Sequence, residues 1–381
     1  MDFKLSKEHE MLRKMYADFA LNEIEPIASD IDEEERFPSE TIPKLAKLGM
    51  MGIPFPKEYG GAGADNLAYA MAIEEIAKYC TTTSTIVAAH TSLCCYPIYA
   101  YGTEEQKQKY LPDLLSGKKL GAFGLTEPEA GSDASNTQTE AVLDGDHYVL
   151  NGSKCFITNA SEADVFVVTA MTDKSKGNKG ITAFIVEKDF PGFSIGKHEK
   201  KMGIRGSATS DLIFEDCIVP VENMLGKEGK GFGVAMGTLE GGRVGVAAQG
   251  LGIAEGAIRE TVKYTSERVQ FGKRISQFQN TQFQLADMET STEAVQLLVY
   301  RAACAKDDND PMTGYYSSMA KLAAGANASD VTRRAVQLFG GYGYIRDFPV
   351  ERMMRDAKIV EIYEGTAEVQ RMIISRAMGV K

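Results

Sequence analysis

The 381-residue chain has no tryptophan, only four histidines and only six cysteines. The cysteines are Cys80, Cys94, Cys95, Cys155, Cys217 and Cys304, and the adjacent pair is too tight for an unstrained local disulfide. With no CxxC and no His/Cys group at zinc spacing, the pattern predicts reduced, mostly buried thiols and no protein metal site. Long apolar runs are missing too: AFIVE and VFVV are strand-sized, far short of the roughly 18 residues of a membrane helix. The opening MDFKLSKEHEMLRKM lacks the apolar core of a secretory signal, and its acidic groups argue against a transit peptide. The expectation is a cytoplasmic protein without membrane insertion. Lys and Arg total 42 against 53 Asp and Glu, a net charge of −11, which disfavours a large basic surface for nucleic acid. No strand, GxGxxG turn and helix follow one another, so a dinucleotide-binding βαβ unit is not expected.

What is present divides into three zones. Residues 1–120 carry apolar groups three and four apart in EHEMLRKMYADFALNEIEPIA and NLAYAMAIEEIAKYC, the period of amphipathic helices. Thr103 and Gly117 bracket a further helix as its cap and its stop. In residues 121–240 the period shortens: HYVLNGSKCFITNA, DVFVVTAMT, GITAFIVEKD and SDLIFEDCIVP read as strands of a small antiparallel β domain. Residues 241–381 return to long helical patterns, whose apolar faces need burial against one another, so a four-helix arrangement and an oligomer are expected. The fold class is α+β multidomain.

Four stretches carry residues suited to chemistry. In IYEGTAEVQRM, Thr366 can cap a helix while Gly365 permits a turn that turns Glu364 away from it. Glu364 reads either as a positioned base or as a solvated carboxylate beside a helix start. GAFGLTEPEAGSD could hold a phosphate or the polar edge of a heterocycle with Thr126, Gly131 and Ser132, or could simply lead the chain into the β domain. In KCFITNA, alternation puts Phe156 and Thr158 on one strand face, as a platform for a planar group or as ordinary core and cross-strand contacts. Arg268, Phe271 and Gln279 offer a cation, a ring and an amide for a pyrophosphate ligand, or an ordinary helix end.

Taken together, GLTEPEAGSD, KCFITNA, RVQFGKRISQFQ, QLFGGYGYIRDFPVERMMRDAK and IYEGT, in this order and spacing, resemble the acyl-CoA dehydrogenase family along essentially the whole chain. The resemblance implies an N-terminal helical domain, a middle β domain and a C-terminal four-helix domain, assembled as a homotetramer of paired dimers. It implies FAD held in extended form, which makes a Rossmann motif unnecessary. Phe123, Leu125, Thr126, Gly131, Ser132, Phe156 and Thr158 would lie along the flavin. Arg268, Phe271, Gln279, Gln337 and Gly341 would reach the adenine and diphosphate of FAD in a neighbouring subunit. Thr366 and Glu368 fall where family members also touch FAD, although Glu368 stands where related enzymes often have glutamine.

By the same resemblance Glu364 is the base that removes the pro-R α-proton of an acyl-CoA as the β-hydride passes to flavin N5. The thioester oxygen is held by the Glu364 N–H and an FAD hydroxyl. Ser132, Glu240, Arg243, Tyr363 and Gly365 are implied substrate contacts. Gly242 stands where isovaleryl-CoA and some long-chain members carry their base, so that role falls to Glu364. Phe156 stands where related enzymes often place tryptophan. The features resemble short-chain members, bacterial butyryl-CoA dehydrogenases in particular, with an electron-transfer flavoprotein as redox partner. Medium-chain, branched-chain or acryloyl-CoA-directed members, and a catalytically silent flavoprotein scaffold, are the alternatives.

Overall fold

A computed structural model describes residues 3–380. The N-terminal helices surround Asn66–Ala77, in which every residue from Ala68 to Ala77 is buried. Such a helix has no solvent face, so its sequence is apolar nearly all round. Lys7–Phe19 packs on it, capped by Ser6, whose hydroxyl accepts from His9 N at 3.1 Å. Thr103 caps Glu104–Leu115 in a reciprocal box with Gln106, and Gly117 leaves the helix at φ +69° with its N–H on Leu114 O.

The middle domain is built from β1 (Gly121–Gly124), β2 (Glu140–Asp144), β3 (His147–Ile157), β4 (Val165–Met171), β5 (Ile181–Glu187), β6 (Phe193–His198), β7 (Ser210–Pro220) and β8 (Met224–Leu225). They form one sheet in the order β6-β7-β3-β2-β4-β5-β8, with β1 beside β4. Most pairs are antiparallel, as the strand pattern predicts; β1 and β2, however, run parallel to β4. The four-residue β1 is anchored from the helical domain by buried His90, whose Nδ1 faces Gly121 N at 3.0 Å and Nε2 faces Leu114 O at 3.1 Å. Burial pushes the His90 pKa down to about 4, so a neutral imidazole serves as a structural link.

The expected boundary at residue 240 falls inside a helix. Gly231–Glu267 is a single 37-residue helix that carries nine glycines, and those glycines hid its first turns from a periodicity reading. A Cβ at Gly252 would lie 2.2 Å from Glu74 O and one at Gly256 2.3 Å from Lys78 O, so the two helix backbones meet at a distance no other residue permits. Gln279–Asp307, Thr313–Phe339 and Val350–Val360 complete the expected four-helix arrangement, sharing a core of Ile253, Ala257, Met288, Val331, Ala335 and Met353. A further helix, Ala367–Ala377, follows the IYEGT turn. Among the described residues no helix is long and apolar enough to cross a membrane, and no group of His, Cys, Asp or Glu could hold a metal ion.

Candidate active site

The three domains meet around a cavity of about 290 Å³. Its walls include Phe123, Leu125, Thr126, Gly131 and Ser132 from β1 and the loop after it, Phe156 and Thr158 from the end of β3, and Arg243, Tyr363, Glu364 and Gly365 from the C-terminal domain. Eleven residues singled out from separate sequence stretches are thereby brought to one place.

The loop after β1 is pinned from beneath. Lys154 Nζ lies 2.5 Å from Glu127 Oε1, both side chains buried, and Glu127 also accepts from the backbone N–H groups of Gln138 at 2.6 Å and Thr139 at 3.2 Å. Burial lowers the Lys154 pKa to about 8, while Glu127 sits below the usual carboxylate range, where burial opposes and the Lys154 charge wins. The pair is therefore ionised at neutral pH. Lys154→Met would strand a buried carboxylate, and a loss of about 3–5 kcal/mol is expected, read as a fall in melting temperature.

Phe156 and Thr158 reach the cavity by a different route from the one alternation predicts. The β3–β7 register slips between Lys154 and Ile157, Phe156 adopts φ +60°, and Thr158 lies in the turn beyond the strand. The bulge breaks the two-residue pleat and leaves the Phe156 ring 64% exposed.

Glu364 adopts φ +52° and Gly365 φ +93°. For a glutamate this conformation costs about 1–2 kcal/mol, and the surroundings enforce it. Buried Gln370 donates to Gly365 O at 2.9 Å and Glu364 O at 3.3 Å, Lys321 Nζ donates to Gly365 O at 2.6 Å, and Thr366 caps Ala367–Ala377 by accepting from Val369 N at 3.4 Å. The turn aims the carboxylate at Gly242, where a Cβ would lie 2.1 Å from Glu364 Oε2 and 2.9 Å from Leu93 Cδ2.

Glu364 Oε2 is covered and has no hydrogen-bond partner. Burial raises its pKa to about 7, against the opposing pull of Lys321, Arg243 and Lys306. A carboxyl poised there is suited to proton transfer near neutrality. Only the ionised form can accept a proton, so any reaction that uses Glu364 as its base is expected to rise with pH and to be half-maximal near pH 7, as a pH–rate profile would register. Arg243, only 5% exposed, has a buried Nε without a partner. Desolvation lowers its pKa. A buried guanidinium facing an open cavity is a receptor for an acceptor-bearing ligand.

Other predicted positions fall elsewhere. Arg268, Gln337 and Gly341 line a second cavity of about 430 Å³. Phe271 and Gln279 do not line it: Phe271 is 94% exposed on the hairpin Val269–Gln270/Lys273–Arg274, edge-on to Phe278, and Gln279 starts the next helix. Glu240 is exposed and outside the first cavity, and Glu368 is exposed beside Arg371. Residues not singled out from the sequence include Thr85 and Leu93 on the cavity wall and Gln249 behind it. Tyr363 OH donates to Gln249, whose amide donates to Thr85 Oγ1 at 2.6 Å and Ser84 Oγ at 3.0 Å. The available signal was a glutamine and a lysine inside the apolar runs AAQGLG and MAKLAAG.

The N-terminal, middle and C-terminal domain profiles of acyl-CoA dehydrogenases match residues 6–118, 122–217 and 229–379. The chain belongs to the acyl-CoA dehydrogenase family. It is 60% identical over 375 residues to the short-chain specific acyl-CoA dehydrogenase of Clostridium acetobutylicum, covering 98% of this chain and 99% of that one. It is 53% identical to the acryloyl-CoA reductase (NADH) of Anaerotignum propionicum, covering 99% and 95%. The butyryl-CoA dehydrogenase structure from Megasphaera elsdenii superposes with a TM-score of 0.97 at 52% identity, covering 99% of this chain and 100% of that one.

Proposed function

We propose that the protein is an FAD-dependent short-chain acyl-CoA dehydrogenase that interconverts butyryl-CoA and crotonyl-CoA. The observation that carries this reading is the covered, unpartnered Oε2 of Glu364, set against Gly242 on the wall of a cavity shared by all three domains. The lining suits a flat, polar-edged ring: aromatic Phe156, the hydroxyl residues Thr126 and Thr158, open space at Gly131 and Glu364 all belong to the cavity wall. Those residues would hold the flavin of FAD, which when bound supplies the acceptor for the β-hydride. Arg268, Gln337 and Gly341, with Phe271 and Gln279 beside them, are assigned to the far end of FAD in a neighbouring subunit of a homotetramer.

Glu364 takes the α-proton, and its strained turn fixes the carboxylate before substrate arrives. Its N–H is assigned to the thioester oxygen, where it stabilises developing negative charge. Arg243 and Ser132 are assigned to the CoA arm; Glu240, exposed and outside the cavity, is the weaker assignment. The Tyr363–Gln249–Thr85 linkage ties the C-terminal turn to the N-terminal wall of the cavity, and the proposed C4 preference rests on the resemblance to short-chain members. Each buried methylene is worth about 0.8 kcal/mol, so modest closure is enough to discriminate. For the redox partner the reading takes an electron-transfer flavoprotein. Support comes from a structure with TM-score 0.98 and 55% identity, covering 99% of each chain, solved in work on the electron transferring flavoprotein of Acidaminococcus fermentans.

Anaerobic mixing with C3, C4, C6, C8 and branched acyl-CoA esters tests the assignment. Flavin bleaching is expected to be fastest at C4. An optimum at C3 would favour the acryloyl-CoA-directed reading that the Anaerotignum relative supports, and flavin left oxidised by every ester would overturn the dehydrogenase reading.

A further inference from the structure

On helix Gly231–Glu267, Gly241, Gly242 and Gly245 leave three side-chain places empty. Each is taken by a titratable head from another element. A Cβ at Gly241 would lie 2.3 Å from Lys306 Nζ, at Gly242 2.1 Å from Glu364 Oε2, and at Gly245 2.5 Å from Tyr69 OH. Positions three and four apart on a helix are neighbours, with about 5–6 Å between their Cβ atoms. The base thus shares a glycine trench with a lysine and a tyrosine.

A cavity of about 230 Å³ with a mixed polar and aromatic lining adjoins the trench, its walls including Tyr69, Thr91, Tyr96, Lys306, Asp307 and Asn309. Tyr69 OH and Thr91 Oγ1 are buried without a hydrogen-bond partner, and both residues are at most 2% exposed. Lys306 Nζ lies 4.2 Å from the centre of the Tyr96 ring, and among the described residues it donates to no oxygen. Two buried hydroxyls without protein partners, and the half-buried Lys306 ammonium that lines the same cavity, call for water, and at about 30 Å³ per molecule there is room for several. Asp307 and Asn309 are exposed.

We propose that the trench and this cavity form a hydrated proton path from Glu364 to solvent, with Tyr69 and Lys306 as positioning residues that hold its waters. The inference rests on Glu364 being the base. Acyl-CoA occupies the first cavity, so the proton captured by Glu364 has no exit there until product leaves. Transfer past the Tyr69 and Lys306 heads to a water of the adjoining cavity restores the carboxylate and yields a hydronium ion, which passes its charge to solvent by Asp307 and Asn309; one proton moves and no electron does. The charged groups acting on Glu364 are Lys321, Arg243 and Lys306; those acting on Lys306 are Asp307, Glu364 and Glu240. Burial brings Lys306 to about 8 and Glu364 to about 7, so their protonation states respond to each other near neutrality.

The test uses FAD-loaded parent, Lys306→Met, Lys306→Arg and Tyr69→Phe, mixed anaerobically with butyryl-CoA. Two readouts are followed: the pH profile of flavin bleaching, and deuterium gained at the α-carbon of recovered butyryl-CoA in D₂O per flavin reduction. Lys306→Met is expected to move the acid limb up by about one pH unit, with Lys306→Arg nearer the parent. Tyr69→Phe is expected to lower deuterium gain several-fold, because the captured proton returns to carbon. Variants that bleach and exchange like a competent parent would overturn the proton path and leave the dehydrogenase reading standing. A parent that stays oxidised would overturn both.

Discussion

Glu364→Gln is expected to keep FAD and to bleach its flavin with butyryl-CoA about 10²–10⁴-fold more slowly than the parent. The substitution preserves shape and removes the negative charge together with the capacity to accept a proton. The turn that places the side chain is made by backbone carbonyls of Glu364 and Gly365 with Gln370 and Lys321, hydrogen bonds in which the altered atoms take no part. Rapid-mixing spectra supply the rate, and the flavin absorbance before mixing supplies occupancy. Retained bleaching would mean that another group removes the α-proton.

Gly242→Ala is expected to produce a loss of about 10²-fold by a different physical route. The new methyl would stand 2.1 Å from Glu364 Oε2 with Leu93 Cδ2 2.9 Å behind it, so the carboxylate must leave its position. Alanine in a helix interior is favoured over glycine by about 1 kcal/mol. The variant should therefore melt no lower than the parent while turning over far more slowly, a combination that global destabilisation cannot give. Bleaching rates beside a thermal melt would show whether stability and activity separate in this way.

Much of this arrangement was legible before the structure was. Helical period, strand alternation and the Thr103 and Thr366 caps depend on neighbours within a few residues, and all were readable locally. Beside Glu364, glycine and threonine implied a turn with a helix behind, but the choice between base and solvated carboxylate rested on the family resemblance. The boundary at 240 was misplaced because glycines that serve packing look the same, in sequence, as glycines that serve loops. The Phe156 bulge depends on the partner strand β7, and the Tyr363–Gln249–Thr85 linkage joins residues from distant segments. Lys306 and Tyr69 were invisible for the same reason, since only the docking of three helices brings them to Glu364.

A helix carrying nine glycines is also a poor helix on its own, by about 8 kcal/mol relative to the same helix with alanine at those nine places. Its order is supplied by the helices packed on it, and the wall that faces Glu364 belongs to that borrowed order. Catalytic competence should therefore arrive only when the N-terminal and C-terminal domains have docked. Neither half alone can hold a partly working site, so heat should abolish turnover and domain contact in the same step.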